Sequence, residues 1–199
     1  MPFDATPQFG RPGSGPWLEG KLLIAMPDMS DPRFRKTVIF MCAHSPSGAL
    51  GIIINKYAGD LRLSELLEQI GLQCATEMAD QPVQLGGPVE TERGFVLHSR
   101  DFFLDEVTLP VSDQIGLTAS VEVLRAIADG KGPVQSVVAL GYAGWGPGQL
   151  EAEMQANAWL HCDGDSDILF SPDMGAKWDM ALAKLGVDPS SLSGQSGHA

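Results

Sequence analysis

Four glycines and one proline fall within the eight residues Gly141–Gly148, directly after the apolar run Val134–Leu140 and directly before a helical pattern. Glycine lets a backbone take positive φ or pass close to another segment, at an entropic cost that an ordinary loop has no need to bear. The stretch GYAGWGPGQLEAEMQANAW therefore reads as a strand, then a shaped glycine loop holding Tyr142 and Trp145, then a helix over Leu150–Asn157. Whatever fold the chain adopts must turn tightly here.

The other elements alternate irregularly. Lys21–Ala25, Lys36–Ala43 and Ala49–Asn55 read as strands, the last two joined by the hairpin-like connection His44–Gly48. Leu63, Leu66, Leu67 and Ile70 share one face of a helix stopped by Gly71. Val83–Leu85 and Gly94–His98 read as strands around the turn GGPVETER, and Glu106–Leu109 as a short strand. Ser120 is an N-cap for the helix Val121–Asp129, which Gly130 ends. Trp159–Cys162 and Asp167–Phe170 read as a hairpin about Asp163–Ser166, and a last helix carries Met174, Trp178, Leu182 and Leu185 on one face. Hairpins mixed with single helices argue against a βαβ repeat. The class is α+β: helices flanking a strongly curved, mostly antiparallel or mixed sheet in a single domain. Residues 1–16, with four prolines and three glycines, predict a disordered arm; 17–187 form the domain and 188–199 a flexible tail.

Charge narrows the partners. The formal net charge is −12, and Gly132–Ala176 holds no Lys or Arg while Glu151, Glu153, Asp163, Asp165, Asp167 and Asp173 all fall within it. Nucleic-acid affinity rests on Lys and Arg displacing counterions from phosphates, so direct nucleic-acid binding is disfavoured. The one basic cluster is Arg33, Arg35 and Lys36, with Lys21 nearby in sequence. Cys42, Cys74 and Cys162 form no spaced framework, and an odd count suits a reducing compartment. With no signal-like N-terminus and no apolar run near twenty residues, a cytoplasmic protein without a membrane span is expected.

Three motifs in sequence order resemble the AlgH/YqgE family of bacterial proteins: LEGKLLIAMPDMSDPRFRKTVIFMCAHSPSGALGIIINK, VQLGGPVETERGFVLHS and the Gly141–Trp159 stretch. The similarity runs from about Leu18 to about Gly186. It implies a barrel-like sheet flanked by helices. The family has carried the label of a transcriptional regulator, and the resemblance implies no particular reaction.

No complete catalytic set is visible. The glycine stretch lacks both the GxGxxG register and the Lys-Ser/Thr pair of a P-loop, and Glu151 and Glu153 would repel a phosphate at the helix start. A neutral or cationic ligand suits it better. Cys42, His44, His161 and Cys162 lack the spacing of a structural zinc site. Asp163, Asp165 and Asp167 mimic a calcium loop, but Ile168 stands where glycine is required and Met174 where glutamate is. No metal and no cofactor is expected.

What remains is a binding surface. Asn55, Gly86, Gly87, His98, Tyr142, Gly144 and Trp145 are its candidate residues, on the expectation that GGPV, His98 and the Tyr142–Trp145 loop converge. The leading function is a non-enzymatic binding or regulatory protein for a small molecule or a protein partner, itself a monomer or homodimer. One alternative is an enzyme using His98 as acid or base in a cleft. The other is a transcriptional regulator acting indirectly.

Overall fold

The computed structural model describes residues 17–74, 77–188 and 192. The sequence expectations for 1–16 and for nearly all of 188–199 lie outside these residues.

Among the described residues ten strands build one sheet: β1 (Lys21–Ala25), β2 (Val38–Ser45), β3 (Gly48–Ile53), β4 (Tyr57–Arg62), β5 (Pro82–Leu85), β6 (Val89–Ser99), β7 (Thr108–Pro110), β8 (Ile115–Thr118), β9 (Ser136–Trp145) and β10 (Trp159–Asp163). The spatial order is β10-β1-β2-β3-β9-β6-β8-β7, with β5 pairing both β4 and β9. Every pairing is antiparallel except β5 with β9. The expectation of a curved, mixed and mostly antiparallel sheet holds.

Alternation along the strands explains the layers. In β1, Leu22 and Ile24 enter one core while Leu23 and Ala25 enter another; in β2, Val38, Phe40 and Cys42 oppose Ile39 and Met41 in the same way. The first set fills the concave side of the curled sheet, closed by Trp178 and Leu182 of α5 (Lys177–Lys184). On the convex side, α1 (Leu63–Gln69) and α2 (Val121–Ala128) cover Val83, Val96 and Val138. The remaining convex face is covered by α3 (Gln149–Gln155) through Leu150. A sheet buried on both faces needs continuous apolar strands, and VIFMCA and GALGII supply them.

One strand organises the rest. The first half of β9 lies between β5 and β6, pairing Ala139 with both Gln84 and Phe95. Its second half leaves β5 and pairs with β3, Gly51 to Ala143 through Ala49 to Trp145. The bend between them is Gly141, at φ +71. Gly86 and Gly87 cross at that bend: Gly86 N donates to the Leu140 carbonyl at 2.7 Å, and the Gly86 carbonyl accepts from Ile53 N at 2.8 Å. A Cβ on Gly87 would lie 2.0 Å from the Tyr142 carbonyl carbon, and one on Gly86 2.3 Å from the Gly141 oxygen. These glycines exist so that backbones can touch.

Several elements correct the sequence expectations. Gly141–Trp145 is strand rather than loop, and the turn is confined to Gly146–Gly148. The stretch VETER belongs to β6 and not to a turn. Asp167–Phe170 is no hairpin strand; Ser166–Leu169 is the short helix α4, capped by Asp165, whose carboxylate accepts from Asp167 N and Ile168 N. β4 and β8 are two further strands that no pattern in the sequence announces. Ser120 does cap α2, accepting from Glu122 N at 3.1 Å. No helix among the described residues is long and apolar enough to cross a membrane.

Candidate functional site

Because Gly141–Trp145 is extended, its two aromatics point to opposite faces. Tyr142 packs edge-on against Phe95 over the concave core, with ring centroids 5.8 Å apart. Trp145 goes the other way, into the core under α3.

There it meets Trp159 of β10 in an edge-to-face contact at 6.0 Å, and Trp159 meets Phe34 likewise at 5.7 Å. Phe34 is delivered by a 3₁₀ turn over Pro32–Phe34, capped by Asp31, which accepts from Arg33 N at 2.9 Å. The Arg33 guanidinium returns to the same carboxylate at 2.6 Å and holds Asp31 below its usual carboxyl range. Lys56 Nζ fixes the turn further by donating to the Arg33 carbonyl at 2.7 Å.

Glu153 of α3 closes the set. Its Oε2 accepts from both indoles, Trp145 Nε1 at 2.9 Å and Trp159 Nε1 at 2.8 Å. Its Oε1 accepts from Gln149 Nε2 at 2.9 Å, and Gln149 Oε1 accepts from Gly146 N at 3.0 Å. An ionised carboxylate offers about four acceptor positions. Three are used here, so Glu153 is both held rigidly and left with acceptor capacity. Beside these residues runs a groove of about 290 Å³, with Pro88, Val89 and Gly144 on its wall and Ser30, Asp31 and Arg33 at its rim. That volume lies at the lower end of the range for small-molecule sites.

Of the sequence candidates, Gly144 and Trp145 line this groove, while Gly86 and Gly87 carry Pro88 and Val89 to it. Tyr142 faces away. Asn55 spends both ends of its side chain on backbone, Oδ1 accepting from Val38 N at 2.8 Å and Nδ2 donating to the Lys36 carbonyl at 2.8 Å. His98 pairs with Ser136, nine residues before Trp145 on β9, or roughly 30 Å of strand at the usual rise per residue.

His98 is fully buried. Its Nδ1 meets the Ser99 carbonyl at 3.0 Å and must donate there; in the neutral ring Nε2 then accepts from Thr118 Oγ1 at 2.8 Å. Thr118 in turn accepts from Thr108 Oγ1 at 2.7 Å, and Thr108 accepts from Leu104 N at 3.1 Å. Burial lowers the His98 pKa and so favours the neutral imidazole on which this donor order depends. Phe102 packs edge-on against the ring at 5.8 Å. The expected convergence of GGPV, His98 and the Tyr142–Trp145 segment is therefore corrected: the first and last meet, and His98 lies elsewhere with both ring nitrogens engaged.

Sequence reasoning missed Phe34, Gln149 and Trp159, and it took Glu153 for a helix-dipole charge. Their meeting depends on β1 bringing β10 alongside β2, which no local pattern reports. That same β1 separates the Cys42–His44 strand from His161–Cys162, and no group of three or more potential metal ligands gathers among the described residues. Burial raises the pKa of both Cys42 and Cys162.

Comparison with known proteins agrees with this architecture. The AlgH-like family profile matches residues 22–190. A UPF0301 protein of Bradyrhizobium diazoefficiens is 52% identical over 94% of this chain and 91% of its own length. One from Rhodopseudomonas palustris is 54% identical over 93% of this chain and 88% of its own. The solution structure of the AlgH protein from Pseudomonas aeruginosa covers 96% of this chain and 100% of its own, with 42% identity and a TM-score of 0.76. The crystal structure of protein DIP2367 from Corynebacterium diphtheriae, 16% identical with a TM-score of 0.72 over 94% of this chain and 95% of its own, shares the fold. With the family profile spanning most of the chain and relatives above 50% identity along nearly its whole length, the chain belongs to the AlgH-like family.

Proposed function

We propose that this chain is a cytoplasmic binding protein, and that the groove over Trp145, Trp159, Phe34 and Glu153 receives a planar neutral or cationic small molecule. The observation that carries the reading is the Glu153 carboxylate. It is fixed by three donors, flanked by aromatic edges, and still able to accept one N–H. The cation lining the groove, Arg33, is spent on the Asp31 carboxylate beside it, and no lysine joins it, which leaves little to hold a phosphate. Any regulatory effect runs through the bound molecule or a protein partner rather than through DNA.

Native mass spectrometry on protein purified gently at low salt tests this. A reproducible added mass, released on denaturation and absent when Ser30→Trp blocks the rim, is the expected result. An added mass that persists unchanged in the blocked variant, or a bare chain in every preparation, overturns it.

A further inference from the structure

His44 sits just past the place where the alternation of β2 breaks. A bulge between Met41 and Ala43 sets both Cys42 and Ala43 against the concave core, and the next residue turns to the opposite face. There His44 is 5% exposed, held between α3 and the segment Trp17–Gly20 that leads into β1.

Both ring nitrogens are engaged. Nδ1 lies 3.3 Å from Leu18 N, and Nε2 lies 2.8 Å from Glu151 Oε1. A backbone N–H can only donate, so Nδ1 carries the lone pair, and the single proton of the neutral ring is on Nε2, donated to Glu151. Trp17 packs edge-on against the ring, with centroids 5.1 Å apart. Leu18 is itself buried and shares a core with Trp145, Leu150 and Trp159. Few other charges surround the ring. Glu151 is held below the usual carboxylate range by its own backbone N–H and then by His44. Glu153 of the same helix is spent on the two indoles, and Glu19 follows Leu18 in the segment. The turn Pro46–Ser47, β3 and Gly146–Gly148 carry no titratable side chain, and Cys42 faces the other core.

We propose that His44 is a proton-operated latch, which releases the segment Trp17–Gly20 when Nδ1 takes up a proton. An imidazolium donates from both nitrogens. On the Glu151 side the bond is kept and gains charge. On the Leu18 side one N–H is set against another, in a setting almost closed to water. The ring accommodates either the added proton or the Leu18 N–H. Docking of the segment is full while the ring is neutral and weakens as it becomes charged, so acidification loosens it. The latch does not depend on what the groove binds.

¹H–¹⁵N NMR of the full chain from about pH 8 to about pH 5, which spans the ordinary imidazole range, tests this. The Leu18 amide and the Trp17 indole should shift with the same midpoint as the His44 ring. Leu18 hydrogen exchange, corrected for its intrinsic pH dependence, should quicken at least about tenfold. The Trp178 indole should stay fixed, which separates local release from unfolding of the whole chain. His44→Asn keeps an uncharged acceptor near the Nδ1 position and abolishes the Leu18 and Trp17 responses. Glu151→Gln removes the countercharge and moves the midpoint to lower pH, and it serves if His44→Asn does not fold. A His44 ring that charges while Leu18 keeps its protection overturns the proposal. So does a ring that stays neutral throughout, or a release whose midpoint neither variant moves.

Discussion

The two ends of β9 use polar residues in opposite ways. Near Ser136, the relay from Leu104 N through Thr108 and Thr118 to His98 and on to the Ser99 carbonyl is buried, directional and complete. Near Trp145, Glu153 is bonded as thoroughly, yet its cluster opens onto a groove and retains acceptor capacity. A histidine at a strand end looks like chemistry in a sequence, and a glutamate in a first helical turn looks like dipole compensation. In the fold, His98 is the structural residue and Glu153 belongs to the working surface. What separates them is whether unused bonding capacity faces open space.

The largest effect belongs to the bend that joins the two ends. Gly87→Ala forces a Cβ to within 2.0 Å of the Tyr142 backbone, where no rotamer change relieves it. A loss above about 4 kcal/mol is expected, enough to remove the folded protein at 37 °C, and urea unfolding or soluble yield checks it. If Gly87→Ala folds normally, the crossing is not what divides the strand.

Next comes Glu153→Leu, which strips the acceptor from two buried indoles and costs about 3 kcal/mol in urea unfolding. Glu153→Gln keeps one oxygen, which still accepts from both indoles, but sets an NH₂ group against Gln149 Nε2, and costs about half as much. The same fall for both variants would show that packing, rather than the two shared hydrogen bonds, holds the cluster.

His98→Leu leaves the Thr118 hydroxyl without its acceptor and costs about 2 kcal/mol, with no change at the groove. Its pH dependence gives the sign. Burial lowers the folded His98 pKa below the ordinary 6.5, so on acidification the unfolded chain takes the proton first. Wild-type stability therefore falls as pH drops through about 6.5, and His98→Leu flattens that part of the curve. An unchanged slope would mean His98 is not held neutral.

The other pH-dependent contribution is at Lys177, fully buried, with Nζ donating to the Ile54 and Leu169 carbonyls at 2.8 Å each. Burial brings its pKa down from 10.5 to about 8. Below pH 8 both states hold the proton, and the buried charge weighs fully against folding; between 8 and 10.5 the folded state releases it first, so stability rises with pH. The difference in unfolding free energy between wild type and Lys177→Met should grow across that window in favour of wild type. A flat difference would place the charge in a better-solvated setting.

Much of the fold could be read along the chain because its signals are local: the two-faced apolar runs of β2 and β3, the 3.6-residue stripe of α1, the Ser120 cap. The misses are non-local. β4 carries YAGDLR, mostly exposed and polar, and β8 has only four residues, so neither shows a period. Gly141 suggested a loop because glycine ends strands, whereas here it bends one that changes neighbours from β5 to β3. Half the groove was legible for the same reason. Gly144 and Trp145 sit in one motif, while Phe34 and Trp159 are 125 residues apart in sequence and meet only through the order β10-β1-β2.

The most direct measurement is a ¹H–¹⁵N spectrum of the indole and imidazole groups while the low-molecular-weight fraction of a cell extract is added. The Trp145 and Trp159 indole signals, both bonded to Glu153, should move saturably. The Trp178 indole, bonded to the Ala25 carbonyl at 2.9 Å, and the His98 ring should stay fixed. Movement at His98 with the two groove indoles unchanged would place the working end of β9 at the wrong end of the strand.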